Sequence, residues 1–206
     1  MSASEQSSKV LMRALSECHP QLDDHLLGVA QLAEAVAIEL ALPPAEVVRV
    51  RLAAALHDVG KMAIPEAILE KRGPLTEHER QFVNRHTLIG ARILHAAPDL
   101  SHLADVVRSS HERVDGKGYP DGLSGSQIPL ASRIIFVCDS FDAMTSERSY
   151  AEAMTAEAAV SELERGAGTQ FDPVAVAALG RAIAKNGHST RVFSHSPPVL
   201  RLEASA

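Results

Sequence analysis

A carboxylate stands at the end of an apolar run: Leu52-Ala53-Ala54-Ala55-Leu56 leads straight into His57-Asp58. An ionised group buried without a partner is costly, so any fold that buries this run must also bring a cation to Asp58. That cation is a metal ion, or a side chain such as Lys61 three positions on. Asp139 poses the same problem behind Ile134-Ile135-Phe136-Val137-Cys138. His25, His86 and His111 lie in three further segments. A lone histidine on an apolar helix face is usually a satisfied core residue, and His25 and His86 taken singly read that way. Two carboxylates in apolar settings and several imidazoles from separate segments are better explained by one shared cation site than by independent accidents. The chain is thereby held to a fold in which these segments converge.

The segments themselves read as helices. Leu22, Leu26, Val29, Leu32, Ala33 and Val36 recur at helical spacing to about Leu40, with His25 on the stripe. Pro43-Pro44 breaks this helix and opens a second over 44–58, which stops near Gly60. Pro65 starts a short helix to about Lys71, and Gly73-Pro74 interrupts again. Thr76 with Glu79 forms a capping box that launches a helix to about His95, with Val83, His86, Ile89, Gly90 and Ile93 on one face. A helix near 100–111 delivers His111. Ile134 to Cys138 alone would pass for a buried strand, but Ala131 to Met144 is long for one and reads as helix. Asp172-Pro173 is an N-cap and first-turn pair opening a last helix to about Ala184. Residues 1–8 are polar and Ser-rich and are expected to fray, and the tail after Gly187 has no periodicity. Gly116, Gly118, Pro120, Gly122, Gly125 and Pro129 crowd residues 113–130, a density that marks an ordered functional loop or a floppy one.

The expected class is all-α, a single-domain helical bundle. A polar N-terminal segment with a short helix spans 1–20, the main domain 21–186 and a tail 187–206. The 206 residues suffice for a core without disulfides, and 3% aromatic content with no Trp leaves Leu, Ala, Val and Ile to build it. A net charge of −6 argues against a nucleic-acid polymer as partner, since phosphate backbones need concentrated Lys and Arg. Cys18 and Cys138 lie in no metal or redox spacing and read as free cytosolic thiols. No run approaches a membrane span, so a cytoplasmic protein is expected. Ligands of nitrogen and oxygen without thiolate suit Fe, Mn or Zn. A carboxylate such as Asp58 can bridge two ions, and such a pair acidifies a water and clamps phosphoryl oxygens, which is phosphoester hydrolysis. Lys61 reads either as a group that steadies developing charge and protonates the leaving oxygen, or as an exposed helix-end cation. His19, His78, His95, His102, His188 and His195 sit in polar or terminal contexts and are set aside. Asp115, Asp121 and Asp142 read as turn or helix-surface residues.

His57-Asp58-Val59-Gly60-Lys61 and Gly118-Tyr119-Pro120 together make the chain closely resemble the HD-GYP family, a branch of the HD metal-dependent phosphohydrolases. The resemblance runs from about His25 to Pro173. It takes in Gly73-Pro74-Leu75-Thr76, His86 with Gly90, His111-Glu112-Arg113, Asp115-Gly116-Lys117, Asp142-Ala143, Arg148 and Gly168-Thr169-Gln170-Phe171. It implies a helical fold with an ordered loop and hydrolysis of cyclic di-GMP to pGpG or onward to GMP. It implies metal roles for His25, His57, Asp58, His86, His111 and Asp139, holding two divalent ions. Fe or Mn lead, and Zn, Ni and Mg are also compatible. Asp58 and Lys61 would be catalytic, and Arg148 would meet a substrate phosphate. The loop through Lys117, Gly118 and Tyr119 would shape the pocket and carry partner contacts, GGDEF-type or sensory signalling proteins among them. Three positions depart from the family pattern. Ser110 stands where a histidine usually precedes His111, Gln21 where trinuclear members carry Glu, and Ala151 where a basic residue follows the tyrosine. These imply a second metal position that water completes or that binds its ion weakly, at most two metals and weaker substrate binding. Two alternatives follow: a degenerate binding or interaction module without turnover, and a phosphohydrolase acting on another nucleotide.

Overall fold

The structure is a computed structural model that describes residues 2–71, 73–146 and 153–186. Ten α-helices are described: α1 (Ala3–Cys18), α2 (Asp23–Glu39), α3 (Pro44–Leu56), α4 (Glu66–Leu69), α5 (Glu77–Asn84), α6 (His86–Ala96), α7 (Ala104–Arg108), α8 (Leu130–Thr145), α9 (Ala156–Gly166) and α10 (Pro173–Asn186). Short 3-10 turns cover Pro20–Leu22, Val59–Ala63, Ser101–Leu103 and Gly125–Gln127. Among the described residues no helix is long and apolar enough to cross a membrane. The all-α expectation holds, and Ile134 to Cys138 lie in helix α8.

Helix α2 lies at the centre, packed on α3, α8 and α10. Its stripe of Val29, Ala33, Val36 and Ala37 meets Ala53, Ala54 and Leu56 of α3 and Ile134, Ile135, Val137 and Cys138 of α8 in one core. Alanines at these contacts let helix axes approach closely without wide aromatic side chains. The apolar run of α3 is therefore buried as expected, and the chain emerges from it at His57-Asp58 deep in the protein.

Three local expectations are corrected. Residues 2–8 are not frayed, because Ser2 and Glu5 cap α1 reciprocally, Ser2 Oγ accepting from the Glu5 amide at 3.2 Å and Glu5 accepting from the Ser2 amide at 2.8 Å. Glu5 also pairs with Arg51 on α3 at 3.0 Å, and Ser4 Oγ donates to the Asp99 carbonyl at 2.9 Å. The helix launched at Thr76 is interrupted at Arg85. His86 Nδ1 takes the Val83 carbonyl at 2.8 Å and Thr87 Oγ1 takes that of Asn84 at 3.2 Å, acceptors that a continuous helix would give to its own amides. The segment expected to be helical to His111 ends at Arg108, and Ser110 Oγ donates to the Val107 carbonyl at 2.9 Å. Helix α9, which no expectation covered, is started by Thr155 accepting from the Ala158 amide at 3.3 Å.

Gly60 fixes how the turn after α3 meets α6. A Cβ there would sit 1.9 Å from the His86 carbonyl oxygen and 2.6 Å from the Gly90 nitrogen, so only glycine permits the approach. Gly60→Ala is expected to destabilise the protein by roughly 3 kcal/mol, at the upper end for overpacking, because the obstructing atoms are backbone. A thermal melt checks it, and a loss below about 1 kcal/mol would mean the two segments can separate at little cost.

Candidate metal centre

His25 enters from the first turn of α2, His57 and Asp58 from the end of α3, His86 from the start of α6, His111 from the turn after α7 and Asp139 from α8. Their ligand atoms form three overlapping triads: His25, His57 and Asp58; Asp58, His86 and His111; His57, His111 and Asp139. In each triad the ligand atoms lie within 4.8 Å of one another. All six residues named from the sequence as metal ligands are thus brought together.

Their hydrogen bonds dictate which atoms face inward. His57 Nδ1 lies 2.7 Å from the Ala54 carbonyl, and His86 Nδ1 is held by Val83. A carbonyl only accepts, so these Nδ1 atoms carry hydrogen, and in the neutral form that a metal requires a ring so held turns a bare Nε2 lone pair inward. His86 Nε2 faces Asp58 Oδ1 at 3.3 Å, and His57 Nε2 lies 3.6 Å from Asp58 Oδ2 and 3.9 Å from Asp139 Oδ1. These are acceptors pointed at acceptors. The Nε2 atoms of His57, His86 and His111 and Oδ1 of Asp58 are buried with no hydrogen-bond partner among the described residues. Orphaned buried acceptors are expensive, and a divalent cation is the species that satisfies several at once. The donor set therefore fits metal ions.

Electrostatics prepare the same protonation state. Burial opposes ionisation of Asp58, but Lys61 and then His57, His86 and His25 outweigh it and hold the carboxyl well below its usual range. Asp139 is likewise lowered, against burial, by His57, His111 and His25. Burial pushes His111 down to about 3 and also lowers His86, so both stay neutral and able to ligate. His25 moves the other way. Burial disfavours its charge, yet its hydrogen bond to Asp142 and the charges of Asp139 and Asp58 raise it, and the field that draws a proton there draws a cation equally.

Lys61, in the 3-10 turn, donates to Asp58 Oδ2 at 2.5 Å with its side chain 21% exposed. The plain ion pair anticipated for Asp58 is thus present on Oδ2, which also faces His57 at 3.6 Å and His25 at 3.8 Å, while Oδ1 has no hydrogen-bond partner among the described residues. Tyr119 stacks on His111 with ring centroids 5.2 Å apart and 12° between planes, and its amide donates to the His111 carbonyl at 3.2 Å. Gly118 makes this possible, since a Cβ there would lie 2.4 Å from the Arg113 nitrogen and 2.5 Å from Glu112 Cα. Lys117 is exposed on the same loop, and Gln21 is exposed in the turn before α2. Arg148 and Ala151 lie outside the described residues.

Three residues do more than their sequence reading allowed. Asp142, taken for a surface residue, is buried and accepts from His25 Nδ1 at 2.7 Å, which turns the Nε2 of His25 toward Asp139 at 3.3 Å. Its spacing of three from Asp139, one helical turn on the same face of α8, was the available signal. Glu112 is 1% exposed and fastens the loop, accepting from the amides of Asp121 at 2.7 Å, Gly122 at 3.0 Å and Leu123 at 3.1 Å. His19, set aside as terminal, is buried beside the Lys61 turn.

Residues 9–174 match the family model described as HD domain. The chain is 45% identical over 158 residues to the cyclic di-GMP phosphodiesterase response regulator RpfG of Xanthomonas campestris, covering 75% of this chain and 42% of that protein. It is 38% identical over 164 residues to the 3'3'-cGAMP-specific phosphodiesterase 3 of Vibrio cholerae, covering 80% of this chain and 36% of that one. The chain therefore spans less than half the length of these relatives. In three dimensions it resembles the crystal structure of a cyclic GMP-AMP-specific phosphodiesterase of V. cholerae, with a TM-score of 0.67 at 20% identity, covering 89% of this chain and 48% of that chain. That likeness is one of fold.

Proposed function

Because the chain belongs to the HD domain family, we propose that it hydrolyses a phosphodiester bond of cyclic di-GMP, releasing pGpG and, with further cleavage, GMP. In this reading it is a cytoplasmic enzyme of second-messenger signalling, working alongside GGDEF-type or sensory proteins. The observation that carries the reading is the cluster of buried nitrogen and oxygen lone pairs, directed at one another and closed on one side by Tyr119. His25, His57, Asp58, His86, His111 and Asp139 would hold two divalent ions, Fe or Mn. Ions so held supply Lewis acidity, acidifying a water and neutralising charge on phosphoryl oxygens.

The chain's own groups complete the chemistry. Asp142 orients His25, and Ala54 and Val83 fix the tautomers of His57 and His86. Lys61, paired with Asp58 and partly exposed, steadies the developing charge and gives a proton to the departing oxygen. Lys117 and Arg148 meet substrate phosphate, and Gly118-Tyr119 shape the wall. The similarity to a 3'3'-cGAMP-specific enzyme favours a second reading, in which the mixed dinucleotide is the substrate. Both share the same phosphodiester chemistry.

Protein purified without oxygen and loaded with Fe(II) or Mn(II) is expected to convert cyclic di-GMP to pGpG in a product-resolved assay. Faster turnover of 3'3'-cGAMP would select the second reading, and no product from either would leave a binding module in place of an enzyme. The two metal positions are expected to differ. Ser110 donates its hydroxyl hydrogen to the Val107 carbonyl, and a neutral hydroxyl is a poorer metal ligand than the imidazole usual at this place in the family. Ser110→His is expected to tighten that position about tenfold or more, read as metal per chain after dialysis. Unchanged occupancy in a folded variant would mean that the shell is complete through other groups.

A further inference from the structure

We infer that His19 is a positioning residue for Lys61, an inference that rests on the hydrolytic role given to Lys61 above. His19 closes α1, where its amide donates to the Leu15 carbonyl at 2.7 Å, and it is only 4% exposed. Its Nε2 lies 3.2 Å from the Lys61 carbonyl, which only accepts, so the ring donates there. Nδ1 is then a buried acceptor, with no hydrogen-bond partner among the described residues. A leucine of similar size would fill the space without that penalty. What the imidazole adds is the bond to the lysine turn.

The turn needs such a bond. Val59–Ala63 is a single stretch of 3-10 helix, a geometry with weaker internal hydrogen bonds than an α-helix. At its two ends the Lys61 amide donates to the Asp58 carbonyl at 2.8 Å and the Ile64 amide to the Lys61 carbonyl at 2.9 Å. Gly60 presses one side of it against α6, and α1 packs against it as well. Helix α1 is itself anchored, by Ser16 Oγ donating to Asp23 at 2.6 Å near its end and by Glu5 with Arg51 at its start. His19 thus joins a fixed helix to the peptide that sets where Lys61 leaves the backbone. The ammonium, 2.5 Å from Asp58, inherits that placement.

The test compares His19→Ala, His19→Gln and, as a control, Glu5→Ala, which loosens α1 from its far end. His19→Ala is expected to lower kcat for cyclic di-GMP roughly tenfold or more, as a small displacement of a catalytic group does, with KM changed by less than about twofold. His19→Gln restores an N–H toward the Lys61 carbonyl and is expected to recover most of kcat. Glu5→Ala is expected to lower Tm while leaving kcat in place, because Ser16 with Asp23 still anchors the end of α1 that carries His19. Equal kcat in His19→Ala and wild type, or an equal loss in all three variants, would overturn the inference. Crystal structures of wild type and His19→Ala decide it independently of turnover: Lys61 Nζ should leave Asp58 in the variant, and an unmoved ammonium would refute the role. If wild type turns over neither cyclic dinucleotide nor bis(p-nitrophenyl) phosphate, the hydrolytic reading falls, while the two structures still decide whether His19 places Lys61.

Discussion

Asp58→Ala is expected to abolish cyclic di-GMP hydrolysis, by roughly a thousandfold or more, while leaving the far-ultraviolet circular dichroism of the wild type. Asp58 belongs to two of the three ligand triads, one carboxylate oxygen facing His86 and the other His25, His57 and Lys61. On the two-metal reading its loss strips both positions at once, and metal per chain should fall with activity. The fold should persist for a specific reason. Removing one partner of a buried ion pair is damaging when the other charge is stranded, but Lys61 is 21% exposed and can turn to water. His86 and His111 are held neutral by burial and leave no charge behind. Full activity in a variant of verified sequence would sink the two-metal reading, and loss of helix signal would mean that Asp58 is structural first.

Glu112→Ala should unfasten the Tyr119 loop. A carboxylate 1% exposed accepts from three consecutive backbone amides, and its removal strands those donors, for a loss of roughly 3 kcal/mol. Tyr119 would then lose the support that stacks it on His111, so turnover should drop even in metal-loaded protein. Hydrogen exchange over residues 118–123 reads the loop directly, and Glu112→Gln, which keeps one accepting oxygen, should fall between the two. Protection unchanged from wild type in Glu112→Ala would show that the loop is held instead by Arg108 with Asp121, 2.7 Å apart, and by Arg113 with Asp115, also 2.7 Å apart.

Much of the site was legible because burial and charge conflict openly in the sequence. His57-Asp58 behind an alanine-leucine run and Asp139 behind five apolar residues announce buried carboxylates, and buried carboxylates need cations. Glu112, Asp142 and His19 announce nothing of the kind. Each is a polar residue in an ordinary setting whose importance lies in a partner far along the chain: His25 for Asp142, the Lys61 carbonyl for His19 and the loop amides for Glu112. Hydrophobic period reports which face is buried, not what meets a polar atom there. Helix ends were misplaced for a related reason. At the interruption at Arg85 and the stop at Arg108 the side chains of His86, Thr87 and Ser110 bond nearby carbonyls, local contacts that intrinsic propensity does not record.

The sequence by itself determined the helical class and the small-residue core, because both follow from local pattern. The cost of burying charge singled out Asp58 and Asp139, while the full set of six clustered residues came from the resemblance to the HD-GYP family. Tertiary structure alone decided which lone pairs face one another, since that depends on Ala54 and Val83 holding two rings by their Nδ1 atoms and on Gly60 bringing the Lys61 turn against His86. A ligand's identity is carried by its residue type. Its aim is a property of the atoms packed behind it.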